Sequence, residues 1–105
     1  MGTSNTVWVV ASTGKAPSFE EAASFGTVRL LTEGYLDLEK LDIESILRGR
    51  IGRIVQKDDF ILLAGNKLVN ALALHYAIEK WGTVKVLHYD GAKGEYKLKV
   101  VNQPL

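Results

Sequence analysis

The chain contains no cysteine and only two histidines and two prolines among its 105 residues. Without cysteine there can be no disulfide and no thiolate zinc ligand, and the wide separation of His75 and His88 argues against a conventional transition-metal site. We therefore expect no metal and no other cofactor. A chain free of cysteine also suits a reducing compartment, so we expect a cytoplasmic protein.

The sequence also lacks a strong net charge and a long apolar run. Its 13 Lys and Arg residues nearly balance 12 Asp and Glu residues, which leaves a formal charge of +1. No global field then favours duplex DNA or an acidic membrane surface. No apolar run reaches the roughly 18 residues that a bilayer-spanning helix requires, and no secretory leader opens the chain. An anionic ligand would have to be bound by local groups.

What is present is the composition of an ordinary globular domain. Apolar residues make up 47% of the chain and charged residues 24%, both near the average for folded proteins. A chain of 105 residues can build one hydrophobic core but not two. We predict a single domain over residues 1–105, with residues 1–5 disordered.

The hydrophobic pattern predicts five strands. Near-continuous apolar runs at 6–11 and 59–64 are typical of strands buried on both faces, and the segment 26–31 also indicates a strand. The segments 83–89 and 95–101 instead alternate between apolar and polar residues around a glycine-containing turn, which indicates an antiparallel hairpin with one exposed face.

Capping residues and apolar spacing predict the helices between these strands. Asp42 begins an amphipathic helix whose apolar positions continue to Val55. Asn66 begins the clearest helix, which Gly82 ends. Ser18 is placed to cap a shorter helical stretch, FEEAAS.

This order of elements predicts a small Rossmann-like α/β domain. We expect a mainly parallel five-stranded sheet of order 2-1-3-4-5, with a C-terminal antiparallel β-hairpin and helices on both faces. In that order the first and third strands are neighbours at a topological switch point, where open α/β sheets leave a crevice at the carboxyl ends of the strands. The turns after these two strands should face each other there.

The two turns carry the candidate ligand-binding groups. Gly65 and Asn66 join a buried strand to a helix start, where backbone amides and the helix dipole favour an anion, and Lys67 adds a full charge. The turn after the first strand supplies hydroxyls, a permissive backbone and a second cation: Ser12, Thr13, Gly14 and Lys15. Two interpretations stay open: the turns together hold a phosphodiester, or Gly65 and Asn66 only turn and cap the chain while Lys67 is solvated.

Other polar and aromatic residues allow further interpretations. Glu33 and Tyr35 follow the second strand toward the same crevice, where Tyr35 could stack on a base or simply pack on the surface. A basic stretch on and after the first long helix is either a solvated face or a contact for an acidic ligand or partner. It comprises Arg48, Arg50, Arg53 and Lys57.

Neither turn matches an established nucleotide-binding motif. The Walker pattern and the three-glycine dinucleotide fingerprint are both absent from the sequence, which weighs against ATP hydrolysis and nicotinamide chemistry. His75 lies in the apolar helix after Asn66, where a core or interface histidine is the commoner role and a general base the rarer one. Tyr76 and Trp81 indicate core or dimer contacts.

Two segments resemble the CRISPR-associated Rossmann-fold (CARF-like) domains, specifically the small stand-alone CRISPR ring nucleases. They are VWVVASTGK and FILLAGNKLVNALALHYAIEKWGTVKVLHY. The resemblance implies a homodimer that binds cyclic oligoadenylate, most simply the tetra-adenylate, and ends type III CRISPR signalling. It also implies metal-independent cleavage, in which a ribose 2′-hydroxyl attacks the adjacent phosphorus in line.

The resemblance assigns roles by position. Lys67, Lys15 and Asn66 take the catalytic positions, with a lysine stabilising charge on the phosphate. The remaining turn and crevice residues take ligand-binding positions: Ser12, Thr13, Gly14, Gly65, Glu33 and Tyr35. Two alternatives remain, namely a module that senses or sequesters the messenger without cleaving it, and a viral or accessory protein-interaction domain that uses the basic helix face.

Overall fold

The computed structural model describes residues 5–11, 20–32 and 42–102. These residues form five strands, two α-helices and one short 3₁₀ helix. In chain order they are β1 (Thr6–Ala11), the 3₁₀ helix (Glu20–Ser24), β2 (Thr27–Thr32), α1 (Ile43–Arg53), β3 (Phe60–Leu62), α2 (Lys67–Trp81), β4 (Thr83–Asp90) and β5 (Glu95–Asn102).

The strands form one sheet in the order β2-β1-β3-β4-β5. Neighbouring strands are parallel from β2 to β4, whereas β5 runs antiparallel to β4. The predicted α/β class, strand order and C-terminal hairpin are therefore confirmed. The sheet places the carboxyl ends of β1 and β3 side by side.

The reversal of strand order decides which face each connection covers. The chain moves from β1 outward to β2, and then back across β1 to β3 and onward to β4. Right-handed crossovers put connections that move in opposite directions on opposite faces of a parallel sheet. The 3₁₀ helix accordingly contributes to one hydrophobic cluster, and α1 and α2 contribute together to the other.

The larger cluster lies between the sheet and the two α-helices. Trp8 and Val10 of β1 and Ile61 of β3 supply its centre and are at most 2% exposed. The helices bury a stripe of residues at intervals of three and four, which is the spacing of one helix face. The stripe consists of Ile43, Leu47 and Ile51 of α1, and Val69, Ala73, Tyr76 and Ala77 of α2.

Polar contacts also join the two helices. The Lys80 ammonium of α2 donates to the carbonyl oxygen of Gly52 at 2.9 Å, in the last turn of α1 where carbonyl groups lack helical partners. The Arg48 guanidinium lies 4.8 Å from the centre of the Tyr76 ring. Basic residues of this region thus help to fix α1 against α2.

The smaller cluster lies on the opposite face, which we call the open face because the cover described there is one short 3₁₀ helix. Val7, Val9 and Leu62 are fully buried there, and Ala22 and Phe25 pack over them from the 3₁₀ helix and the residue after it. The ring centres of Phe25 and Phe60 are 5.6 Å apart in an edge-on arrangement. Helical cover is therefore present on both faces, as predicted, but within residues 5–11, 20–32 and 42–102 it is unequal.

A buried carboxylate ties the start of β3 to the start of β1. Asp59 is 5% exposed and accepts hydrogen bonds from the Thr6 amide at 2.9 Å, the Trp8 indole at 2.9 Å and the Gln56 amide at 2.8 Å. Three donors satisfy a buried carboxylate without a cation. Asp59 therefore has a structural role.

No helix among the described residues is long and apolar enough to cross a membrane. The same residues contain no group of three or more His, Cys, Asp or Glu side chains that could hold a metal ion.

Candidate functional site

Asn66 caps α2 as the sequence predicts. Its side-chain oxygen accepts from the backbone amides of Leu68 at 2.8 Å and Val69 at 3.2 Å. These are two of the amides that an anion at the helix start would otherwise contact. The cap is consistent with the structural interpretation of this turn and leaves a ligand fewer backbone donors.

Asn70 fixes the same turn from inside the helix. Its amide oxygen accepts from the Ala64 backbone amide at 3.0 Å, and its amide nitrogen donates to the carbonyl oxygens of Ala64 at 2.9 Å and Asn66 at 2.7 Å. Asn70 was not among the predicted site residues. The signal in the sequence is an asparagine in the first turn of a largely apolar helix. Asparagine is unfavourable inside a helix unless its side chain bonds to the backbone.

Gly65 brings this turn against the end of β1. Its φ angle is +82°, and an added Cβ atom would lie 2.5 Å from the Ala11 carbonyl oxygen and 2.9 Å from the Ala11 Cβ atom. The carboxyl ends of β1 and β3 therefore adjoin, as the predicted switch point requires. The glycine is needed for this contact between two parts of the backbone, whether or not a ligand binds.

A shallow cleft of about 480 Å³ lies beside the turn, and we call it the switch-point cleft. Its described lining residues are Leu63, Ala64, Gly65, Lys67, Asn70, Ala71 and Leu74. Of these, only Lys67 carries a charge, and within the described chain no carboxylate lies at ion-pair distance from its ammonium. The cleft thus offers one exposed cation above a mostly apolar surface.

The other predicted site residues cannot be located relative to Lys67. Ser12, Thr13, Gly14 and Lys15, together with Glu33 and Tyr35, all lie outside the described residues. The predicted convergence of the two turns on one ligand stays a prediction. What is established is the contact between Gly65 and Ala11, the last residue before the first turn.

The two histidines are both exposed residues, and neither lies in the core. His75 lies 3.6 Å from the Glu79 carboxylate one helical turn away, and its ring is 5.3 Å from that of Tyr76. Of the two common roles expected at position 75, a core histidine is wrong, because the helix buries Tyr76 and Ala77 and turns His75 outward; an interface histidine stays a prediction. His88 lies near the end of β4, on the same face of the sheet as Val84 and Val86, where its side chain is exposed.

The basic stretch is partly used within the molecule. Arg50 donates a hydrogen bond to the Leu31 carbonyl oxygen of β2, and Arg48 stacks on Tyr76. Arg53 remains exposed beside a shallow depression of about 440 Å³ on the outer side of α1. In the described part of the chain, none of these arginines forms an ion pair.

The chain matches the family model for the Phage Pam3 gp32-like protein over residues 5–103. This chain belongs to that family. The match covers nearly all of the 105 residues, including every strand and helix of the sheet domain. No curated protein and no solved structure matches the chain.

The identification as a CRISPR-associated Rossmann-fold domain was therefore wrong, since the family found is a phage family. The residues behind that resemblance have a general structural explanation. Gly65 permits the left-handed turn and the contact with Ala11, and Asn66 caps the following helix. Any strand that ends beside a neighbouring strand and leads into a helix needs such residues. The CRISPR and ring-nuclease assignments lose that support, whereas binding or cleavage of cyclic oligoadenylate stays untested.

Proposed function

We propose that this phage-family protein is a protein-interaction domain whose binding surface is the open face of the sheet at the β4–β5 hairpin. The observation that carries the proposal is a group of adjacent exposed apolar side chains there, which we call the hairpin patch: Tyr89, Leu98 and Val100. They are 44%, 46% and 46% exposed.

Strand register supports treating these residues as one patch. Leu98 lies opposite Leu87, Val100 opposite Lys85, and Tyr89 opposite Tyr96. Residues directly opposite each other in a sheet point to the same face. The rings of Tyr89 and Tyr96 are 5.2 Å apart in an edge-on contact. The exposed residues therefore extend the buried open-face cluster out to solvent.

Exposure of such a group is unusual enough to indicate a function. Single apolar residues scattered over a surface are normal, whereas adjacent ones commonly mark a contact site for another protein. The helix-covered face leaves no comparable group on β4 and β5, because Val84 and Val86 are buried there. An aromatic ring beside aliphatic side chains also matches the composition of interface cores.

The described residues of the switch-point cleft give catalysis little support. The side-chain amides of Asn66 and Asn70 form hydrogen bonds with backbone groups of the turn, so neither amide is directed at a substrate. His75 is exposed and contacts Glu79. A phosphodiester-cleaving site needs several groups arranged around the reacting phosphate, and the described cleft supplies the Lys67 ammonium alone.

A photo-crosslinking amino acid at position 98 tests the proposal, with position 71 as the matched control. Leu98 and Ala71 are both exposed, but Ala71 lines the switch-point cleft. We expect discrete cross-linked protein products from position 98, in the cells that encode the chain or in the purified protein, and not from position 71. The proposal is contradicted if cross-linking from position 98 is equal to or weaker than that from position 71, both in the cells and in the purified protein.

A second candidate function is binding of a phosphodiester ligand such as cyclic oligoadenylate at the switch-point cleft. It is supported by the exposed Lys67 ammonium and by the contact of Gly65 with the end of β1. Calorimetry with cyclic tri-, tetra- and hexa-adenylate in EDTA tests it. Saturable binding that is lost in Lys67→Ala and kept in Lys93→Ala supports it, and absence of binding excludes it. Rings that bind but stay intact after prolonged incubation indicate binding without cleavage.

A further inference from the structure

We infer that the partner at the hairpin patch is a second copy of this chain, joined by antiparallel pairing of β5 with β5 about a two-fold axis at Lys97. The inference rests on the proposed function and names the occupant of that surface. Its basis is the outer edge of β5 and the order of charges along it.

The edge of β5 is well formed for pairing. All eight residues of β5 pair with β4 in a continuous register from Glu95 to Asn102, with no bulge in these strands and no proline in β5. An edge strand presents alternate N–H and C=O groups outward, and bulges or prolines are common ways of blocking such an edge. Neither is used here, so the backbone can accept another strand.

Lysine is another common block on edge strands, and the two lysines of β5 need separate explanations. Lys97 donates to the Asp90 carboxylate at 2.9 Å, so its charge is balanced within the chain. Lys99 has no carboxylate at ion-pair distance among the described residues. Its charge remains available to a partner.

A register with its two-fold axis at Lys97 matches these charges better than one centred on the next residue. With the two-fold axis at Lys97, Glu95 lies opposite Lys99 of the partner subunit, and the contact occurs twice. With the axis one residue later, at Leu98, each Lys97 lies opposite Lys99 of the partner subunit, which is unfavourable. The first register also sets Lys97 opposite its own copy, but each of these lysines is paired with Asp90.

The same register also brings apolar side chains of the two copies together. On the open face Leu98 lies opposite Tyr96 of the partner subunit, and both Leu98 side chains lie next to the axis, whereas Val100 lies opposite Gly94 of the partner subunit. Charges and apolar side chains that meet their counterparts in a second copy favour a self-complementary, two-fold interface. The product is a sheet of ten strands.

Charge exchange between Glu95 and Lys99 tests the inference in purified full-length protein. We expect the wild type to form dimers in a concentration series measured by sedimentation velocity. Glu95→Lys and Lys99→Glu should each raise the dissociation constant by about tenfold or more, since two attractive contacts become repulsive. Lys57→Glu, an equal charge change at an exposed residue away from β5, should leave it unchanged.

Mixing the two single variants gives the decisive result. A mixed dimer restores two opposite-charge contacts, so the mixture should associate more tightly than either variant alone. The double variant Glu95→Lys, Lys99→Glu should also associate, which shows that the single variants did not fail through misfolding. A wild type that stays monomeric at all concentrations, or a mixture that associates no better than its components, overturns the inference.

Failure of the inference can be told from failure of the proposed function. If position 98 cross-links to a different protein and the purified chain is monomeric, self-pairing is overturned but the proposed interaction function is supported. Absence of cross-links from position 98 in both settings overturns the proposed function and the inference together.

Discussion

Gly65 is the residue at which sequence, backbone geometry and packing constrain one another most tightly. Its positive φ angle disfavours any side chain, and the Ala11 carbonyl oxygen occupies the space that a Cβ atom would need. A neighbouring backbone cannot move aside as a flexible side chain can. The position therefore has a structural requirement that is independent of any ligand.

Gly65→Ala should lower the free energy of unfolding by about 2 kcal/mol or more, because strain in the left-handed region adds to the clash with Ala11. Gly52→Ala is the matched control, since nothing lies within 4 Å of its added Cβ atom in α1. It should raise stability by about 0.5–1 kcal/mol through helix propensity. Urea unfolding measures both, and equal effects of the two substitutions would contradict the assignment.

Asp59 and Asp58 provide a second residue-level comparison. Asp59→Ala leaves the Thr6 and Gln56 amides and the Trp8 indole without their acceptor, and should cost about 3 kcal/mol or more. Asp58→Ala removes only an exposed ion pair with Lys85, and should cost less than about 1 kcal/mol. Chemical unfolding of both variants checks the difference, and similar losses would show that the buried carboxylate is not the connection described.

At the scale of elements, the Asp90 carboxylate links the turn of the β4–β5 hairpin to β5. Asp90 accepts from the turn amides of Ala92 at 3.1 Å and Lys93 at 3.3 Å, and from the Lys97 ammonium across the hairpin. The hydrogen bond from Lys97 chiefly holds the pKa of Asp90 below its usual 3.8. The same contact chiefly raises the pKa of Lys97 above its usual 10.5.

These shifts predict how hairpin stability depends on pH. The Asp90 contribution is present above about pH 3.8 and is lost as pH falls through its lowered folded-state pKa. The Lys97 contribution is present below about pH 10.5 and is lost as pH rises through its raised folded-state pKa. Asp90→Asn should therefore weaken the pH dependence of the free energy of unfolding at both low and high pH, as measured by urea unfolding across the pH range.

Part of the loss of stability at low pH should remain in Asp90→Asn, because the pKa of Asp42 is also lowered, chiefly by its side-chain hydrogen bond with Ser45. An unchanged alkaline loss of stability in Asp90→Asn would contradict the assignment of the Lys97 shift to Asp90.

Local signals predicted the ends of the helices well. Asp42 caps α1 through the Ser45 amide at 3.2 Å, and Gly82 ends α2 with a φ angle of +74°. Both effects depend on residues within a few positions of each other, so they can be read from sequence. The Asn70 contacts are also local, four and six residues back along the chain, but they were missed. The Gly65 contact with Ala11 depends on how distant parts of the chain meet, and no periodicity encodes it.

At the scale of the whole molecule, the strand order could be predicted because alternating strands and helices allow few topologies. The short helical stretch between β1 and β2 was predicted, but not how unequally the described residues cover the two faces, because apolar runs at β1 and β3 indicate burial on both faces without showing what provides it. The family was also misjudged, since a short strand-turn-helix sequence reflects backbone needs that unrelated α/β proteins share. A match over residues 5–103 carries more information.

Hydrogen exchange should separate the two edges of the sheet. Amides of β1 and β3, which have neighbours on both sides, should exchange slowly at any protein concentration. Alternate amides of β5 should exchange rapidly in dilute protein and slow down as concentration rises, because self-pairing covers that edge. Those at the β2 edge should not change with concentration. Equal concentration effects at both edges would contradict pairing through β5.

Both tryptophans lie on the helix-covered side of the sheet. Trp8 is buried there with its indole bonded to Asp59, and Trp81 packs against the same cluster from the end of α2. The hairpin patch contains none. Intrinsic tryptophan emission should consequently report unfolding while remaining insensitive to association at β5. A red-shifted spectrum in a β5 variant thus identifies a folding defect, and an unshifted spectrum with a changed sedimentation coefficient identifies an altered interface.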